Sequence, residues 1–434
     1  MENEELYNLL EDGEINLPSE MALVFRKNSN PISYEDVVSK LKENNTFDNV
    51  MLQVDENGIQ GTISVDDVEY DIRIMLGASI DDMIDLEALT VMNRITEEEI
   101  EEIKESNMNV YTSMKFNEVS DKSYLVQLKI MAAISDDYVA LVDLSACKII
   151  SGKWVRMTIE TDVEPLTKYL YTIHGVYDEK KGKRSYWMHT HGLHRCGCVE
   201  LEVLNIDDLA TEHQSALNTF AARFVEEGMI KRGEEISIGY AGDMYLGYTW
   251  YPWEQALDMM SKKKSIFSRK KNFLGDIQDR DEFHSQPSGI LFACNEGNIA
   301  EVTVFNELLV NNPIFFLTNR ETYKMSMIAK KRFNYFSELF NKYKNDEENW
   351  RFLFKAGIPT NLDNDDIDAE HLWFILEGIK DNNLIGRLIN EPYHIADMKV
   401  EEIYEVSIDK LTDWLIQSTK GEFSPDTIYS CIDQ

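Results

Sequence analysis

The sequence predicts an α+β protein: several antiparallel sheets with helices packed on one face, and a small barrel-like C-terminal domain. Three observations carry this. The first hundred residues show a strand-helix-strand-strand-strand order, which places a helix on one face of an antiparallel sheet. Turn residues such as Asp55-Glu56-Asn57-Gly58 and Asp66-Asp67 separate short strand patterns. The 434 residues are 43% hydrophobic and 11% aromatic, which suits a globular core in two to four domains of about 100–200 residues.

In order along the chain, an acidic, frayed tail precedes a strand at 21–25 (Met-Ala-Leu-Val-Phe) and a helix at 33–41 with Val37, Val38 and Leu41 on its apolar side. Strands follow at 50–54, 59–65 and 70–75. Thr96 and Glu99 have the spacing of a capping box, and carboxylates in that first turn suit the positive end of the helix dipole. Residues 139–142 read as a buried strand, 169–176 and 185–190 as a hairpin, and 209–228 as a long amphipathic helix. Another strand pair follows at 235–240 and 244–251. The charge then reverses at Lys262, Lys263, Lys264, Arg269, Lys270 and Lys271, an exposed linker before Asp276 to Asp281 returns to acid.

The last section pairs strands at 289–294 and 299–304. A long helix spans 321–343, with Met325, Ile328, Phe333, Phe336, Leu339 and Phe340 as a core stripe. An acidic loop at 361–368 lacks the glycine and the closing glutamate of a calcium loop. Strands at 370–376, 384–389 and 403–406 and a short helix at 409–416 complete the chain. The expected divisions are an acidic N-terminal domain at 1–95, a central α+β domain at 96–260, a basic linker at 261–284 and a C-terminal domain at 285–434.

The net charge of −35 limits the partners. Such a chain repels polyanions, so nucleic acid and anionic membrane surfaces are not expected partners. Residues 1–106 alone hold 27 Asp+Glu against 7 Lys+Arg, a surface that fits a basic protein or bound cations. The N-terminus has no basic start followed by an apolar stretch, no run is long enough for a membrane helix, and the five cysteines (Cys147, Cys196, Cys198, Cys294, Cys431) form no disulfide framework. A cytoplasmic protein with reduced thiols is expected. No Gly-rich phosphate loop, Gly-x-Ser-x-Gly elbow or dinucleotide fingerprint is present.

The densest chemistry lies between Trp187 and Glu202. Residues 189–198 hold three of the eight histidines and two of the five cysteines. On a strand alternate side chains share a face, so His189 and His191 point together, as do Cys196 with Cys198 and Glu200 with Glu202 wherever the chain is extended. Gly192 and Gly197 can turn the chain between these sets. Imidazole and thiolate are zinc ligands, making His189, His191, Cys196 and Cys198 the candidate metal set, with Glu200 or Glu202 as base. A Cys196 nucleophile activated by His194 is a further possibility. The plainer reading has the histidines hydrogen-bonded inside a sheet and the cysteines packed as small apolar groups.

A second set comprises Glu370-His371-Leu372-Trp373, Gly386 to Pro392 and Asp413-Trp414. His371, Trp373, Asn390 and Trp414 are its candidate groove residues. The alternative is a small core whose tryptophan N–H meets a carboxylate such as Asp413.

These motifs resemble known families. The Glu-His-x-Trp, Gly386-x-Leu388-x-Asn390-x-Pro392 and Asp413-Trp414 series resembles the YegJ-like domain of unknown function. Residues Ala140 to Ala146 with Trp187 to Glu202 resemble a second bacterial domain of unknown function, and the two together cover nearly the whole chain. One departure is Val400-Glu401-Glu402, where the smaller domain usually has a Gly-Asp turn. The resemblance implies no activity. The function expected from the residues is a non-enzymatic binding, adaptor or immunity-type protein with an acidic interaction surface. The alternative is a zinc-dependent hydrolase.

Overall fold

The computed structural model describes residues 3–77, 86, 89, 94–117, 119–180, 182–262, 274–281, 284–360 and 369–432. The architecture is α+β, with three sheets. Contacts divide the chain into two units. One takes Met1–Asn93, Glu97–Ile150 and Leu166–Thr318; the other takes Arg94–Thr96, Ser151–Pro165 and Asn319–Gln434. The basic stretch from Lys263 to Lys271 and the acidic loop at 361–368 lie outside the described residues. Among the described residues, no helix is long and apolar enough to cross a membrane.

The first sheet contains β1 (Ser19–Phe25), β2 (Asn49–Asp55), β3 (Gly58–Val65), β4 (Val68–Gly77), β5 (Asn109–Met114), β6 (Tyr138–Asp143) and β7 (Lys148–Ser151), in the order β2-β3-β4-β5-β1-β6-β7. Every strand expected between 21 and 142 falls within these bounds. The helix Tyr34–Glu43 starts at a capping box formed by Ser33 and Asp36 and buries Val37 and Leu41. The helix Glu97–Glu105 begins directly after Thr96. The frayed tail expected at the N-terminus is instead a helix, Asn3–Glu11. Its apolar residues Tyr7 and Leu10 are buried, and the Tyr7 hydroxyl donates to the Ser288 carbonyl at 2.8 Å. Its acidic side meets Arg232, which bonds Glu4, Asn8 and Glu11. The cation that orders these carboxylates is more than two hundred residues away, out of reach of a local reading.

The second sheet belongs to the same unit. Its strands are β8 (Thr172–Lys180), β9 (Lys183–His191), β10 (Glu200–Ile206), β11 (Ile236–Ala241), β12 (Met244–Pro252), β13 (Ser288–Asn295), β14 (Asn298–Ala300) and β15 (Ile314–Phe315). The order is β15-β11-β12-β13-β10-β9-β8, with β14 beside β13. β10 runs parallel to β13, and the other registered pairs are antiparallel. The helix Ala210–Glu227 buries Leu217, Phe220 and Phe224. The strand expected at 299–304 ends at Ala300, and a 3-10 turn, Val302–Phe305, follows.

The second unit holds β16 (Trp350–Pro359), β17 (Ala369–Lys380), β18 (Asn383–Leu388), β19 (Ile403–Ser407), β20 (Leu411–Ser418) and β21 (Gly421–Phe423), in the order β19-β18-β17-β16-β20-β21. Among the described residues β19 and β21 end the sheet without a further strand, so it is open and the expected barrel does not close. The helix expected at 409–416 is a 3-10 turn, Ile408–Lys410, followed by β20. A bulge between β20 and β16, where Lys355 pairs with Asp413 but Ala356 with Leu411, leaves Thr412 over. Leu411 and Trp414 therefore share the buried face three residues apart, a spacing that imitates a helix. The long helix expected at 321–343 is two, Asn319–Lys331 and Phe333–Tyr343. They part at Arg332, which turns inward to bond Thr161 Oγ1 and the Pro425 carbonyl, each at 2.9 Å. The turn before β19 takes the left-handed backbone that glycine favours, although Glu401 occupies it (φ 68°).

Candidate metal centre

The site is built on the β8–β9 hairpin. The register sets His174 directly opposite His189, and Thr172 opposite His191. His189 and His191 are two residues apart on β9, so His174, His189 and His191 share one face of the sheet. One ring nitrogen of each lies within 4.8 Å of those of the other two. The rings of His174 and His189 are each 4.9 Å from that of His191. β9 stops at Gly192, whose φ of 111° and approach to Leu170 exclude a side chain: a Cβ there would lie 2.5 Å from the Leu170 carbonyl oxygen. A 3-10 turn, Leu193–Cys196, runs to Gly197 (φ 72°), so the two glycines expected to turn the chain do so.

Burial is the main electrostatic influence on the histidines. It pushes His189 down to about 2, helped by the neighbouring His191, His284 and His174. It pushes His191 down to about 4, against the opposing charge of Glu200. His174 is also lowered by burial, opposed by its hydrogen bond to the Cys147 backbone. All three are neutral imidazoles at pH 7, with nitrogen lone pairs available. His189 is 4% exposed, and its Nδ1 has no hydrogen-bond partner among the described residues.

The two glutamates expected as bases are fully engaged. Glu200 accepts from Thr190 Oγ1 (2.6 Å), Gly192 N (2.9 Å), His194 N (3.1 Å) and His194 Nδ1 (2.7 Å). Burial pushes its carboxyl up, but the His194 hydrogen bond and the His194 and His191 charges outweigh it and hold the group at about 2. Glu202, opposite His189 on β10, accepts from Trp187 Nε1 (2.9 Å), from both terminal nitrogens of Arg280 (2.7 Å each) and from Ser288 Oγ. His191 and His194 line a cleft of about 240 Å³ together with Pro18, Glu20, Ser145 and Cys147.

The structure brings together His189 and His191 from the expected set, but not the cysteines. Cys198 Sγ donates to the Cys196 and Phe224 carbonyls at 3.6 Å each. Burial pushes the Cys196 thiol up to about 12 and Cys198 well above its ordinary value. Both therefore stay protonated, not as the thiolates that bind metal. Two histidines fell outside the sequence reading. His174 is legible in principle: counting outward from Lys180 opposite Lys183 puts it opposite His189, but the strands expected at 169–176 and 185–190 stop short of that tight turn. His284 arrives from 95 residues along the chain, and no local signal marks it.

The other candidate set, in the second unit, separates onto two faces. Trp373, Lys355 and Asp413 pair across the sheet on one face, and Phe374, Phe354 and Trp414 on the other. Trp414 is fully buried, donates to the Ala329 carbonyl (3.0 Å) instead of Asp413, and packs 5.0 Å from the Phe336 ring. His371 Nδ1 meets Thr412 Oγ1 at 3.2 Å. Asn390 Oδ1 accepts the Trp373 amide (2.7 Å), and Glu370 accepts the Tyr393 and His394 amides (2.8 and 2.9 Å). In this motif, Glu370 and Asn390 pin the 390–394 turn to β17.

Comparison with known proteins finds three family models along the chain. Residues 19–165 match the protein of unknown function DUF4026, N-terminal part, and residues 173–292 match its C-terminal part. Residues 321–432 match DUF2314, an uncharacterised protein conserved in bacteria. The YegJ-like name expected for the last part is not among these descriptions. No curated protein and no solved structure matches the chain.

Proposed function

Because the chain belongs to this bacterial family of joined domains of unknown function, membership brings no activity with it, and we propose that the protein binds one divalent transition-metal ion on His174, His189 and His191. The observation that carries this is the convergence of three imidazole nitrogens within 4.8 Å. Imidazole donors suit zinc, cobalt, nickel or copper, whereas calcium and magnesium need oxygen. Zinc bonds of about 2.0–2.1 Å in a tetrahedron impose nitrogen separations of about 3.3–3.4 Å, so the rings must turn toward one another when the ion binds.

Binding rather than turnover is the favoured role. A hydrolytic centre needs a base free to take a proton from metal-bound water. Glu200 and Glu202 are each held by several donors, so neither is free for that task. The charge of −35 adds a long-range field that concentrates cations near the protein. This keeps the binding-protein reading and makes a metal ion the bound species.

The test is calorimetric titration of untagged, chelator-treated protein with Zn²⁺. One ion per chain is expected, with stoichiometric binding lost in His189→Ala and in His191→Ala. Absence of saturable binding in the unaltered protein would overturn the proposal.

A further inference from the structure

His284 reaches the three-histidine group from the segment that leads into β13. Its Nε2 lies 3.3 Å from His189 Nε2. Its ring centre is 4.7 Å from that of His189 and 6.0 Å from that of His191. Its other nitrogen, Nδ1, is 2.8 Å from Asp281 Oδ1. The side chain is 13% exposed.

Two features set this contact apart from ordinary ring packing. The Asp281 carboxylate, at 2.8 Å, is placed to accept from Nδ1–H of His284, the tautomer that leaves a lone pair on Nε2 facing His189; the Asp281 amide N–H, 3.5 Å from the same Nδ1, is the longer contact. The Nε2···Nε2 distance also equals the edge of a tetrahedron of nitrogens around a zinc-class ion, about 3.3–3.4 Å. Metal-bound histidines commonly donate their second N–H to a carboxylate, which orients the ring and raises its basicity. Asp281 supplies that partner here.

Resting on the metal-binding reading above, we propose that His284 is the fourth ligand of the ion. The site then closes as four imidazoles, with Asp281 as the positioning residue for His284. A closed four-nitrogen set leaves no position for a substrate and ties the segment around residue 284 to β9 when the ion binds. Structural and storage sites are built this way, whereas catalytic zinc sites keep a position open.

The test uses Co²⁺ alone as the probe, added to chelator-treated full-length protein. The unaltered protein should show the intense visible bands of tetrahedral cobalt and X-ray absorption from four imidazoles. His284→Ala should show three imidazoles plus water, weaker bands and affinity reduced by about 10- to 100-fold. Free imidazole should restore the original spectrum. Asp281→Asn should keep four imidazoles and lose about tenfold in affinity. Circular dichroism checks that each variant is folded.

If His284→Ala keeps the imidazole count and affinity of the unaltered protein, His284 only accepts a hydrogen bond from His189. That result overturns this inference and leaves the three-histidine reading standing. If the unaltered protein takes up no cobalt, both readings fail together.

Discussion

Arg195 and Asp143 meet as a bidentate ion pair, Nη1 to Oδ1 and Nη2 to Oδ2 at 2.9 Å each, with both side chains fully buried. Arg195 follows the histidine strand β9, and Asp143 ends β6 of the first sheet, so the pair ties the two sheets of the first unit. Ser19 Oγ and the Leu170 carbonyl take further guanidinium hydrogens, and Tyr124 donates to Asp143. Breaking such a pair leaves one charge buried alone. Arg195→Met should destabilise the first unit by about 3–5 kcal/mol. Arg195→Met with Asp143→Leu should recover part of that loss. Urea unfolding of the three proteins measures both effects, and a single variant no less stable than the double one would contradict the assignment.

Arg232 predicts the behaviour of the N-terminal helix. It bonds Glu4, Asn8 and Glu11 on successive turns and packs over the ring of Tyr7, whose hydroxyl donates to Ser288. A nine-residue helix is marginal by itself and persists through such contacts. Arg232→Ala should cost about 1–2 kcal/mol. It should also make the amides of residues 7–11 exchange rapidly with deuterium while those of β1 stay protected. Unchanged protection at residues 7–11 would mean that the apolar side alone holds the helix.

Regular local patterns were legible in the sequence, and long-range ones were not. Alternation placed His189 and His191 on one face, and Gly192 and Gly197 marked the turn after them, because both depend on neighbouring residues. The same alternation grouped Cys196 with Cys198, where a 3-10 turn replaces the strand. His174 depends on hairpin register, and the strands expected at 169–176 and 185–190 end before the turn that sets it. His284 and Arg232 act on partners 95 and more than two hundred residues away, so no periodicity could reveal them. At β20 the bulge at Thr412 gave a strand the spacing of a helix. Arg332 shows the converse: a continuous helical pattern is interrupted at the arginine that is bonded in the core.

Gly192 offers a test of the turn beneath the site. Its backbone is left-handed, and a Cβ would press on the Leu170 carbonyl oxygen at 2.5 Å. Gly192→Ala should therefore lose about 1–3 kcal/mol from strain, and more if Leu170 cannot yield. The His191 ring should shift with the strand end. Histidine ring resonances in an NMR spectrum should move for His191 and remain in place for His371, which lies in the second unit. Equal shifts at both would point to global unfolding.

His213 supplies a pH dependence away from the histidine cluster. Burial lowers its pKa, opposed by its hydrogen bond to Asn306 and by Glu212. The unfolded chain binds the proton at the ordinary value of about 6.5. Below that pH the unfolded state carries more protons than the folded one, so acid destabilises the fold. The contribution is complete above about 6.5 and is lost as the pH falls toward the lower folded value, with a slope of at most about 1.4 kcal/mol per pH unit. His213→Gln, which can still donate to Asn306, should flatten that part of a plot of urea midpoint against pH between 7 and 5. A slope unchanged by the substitution would place the titration elsewhere.

Glu200 should act on metal binding without touching the ion. Its carboxylate gathers Thr190, Gly192 and His194, the residues on both sides of His191, and so fixes the end of β9. Glu200→Gln keeps the size and one acceptor oxygen, but it replaces the other with an N–H₂ group facing donors. Thr190 and the Gly192 amide cannot both be satisfied, and His191 loses the fixed strand end that positions it. Zinc affinity should fall by about 10- to 100-fold, as for other residues that orient a ligand. His194→Gln retains a donor for Glu200 and should fall less. Titration of both variants with Zn²⁺, with folding checked by circular dichroism, decides the point. Equal affinity in Glu200→Gln and the unaltered protein would show that the strand end is held by its backbone alone.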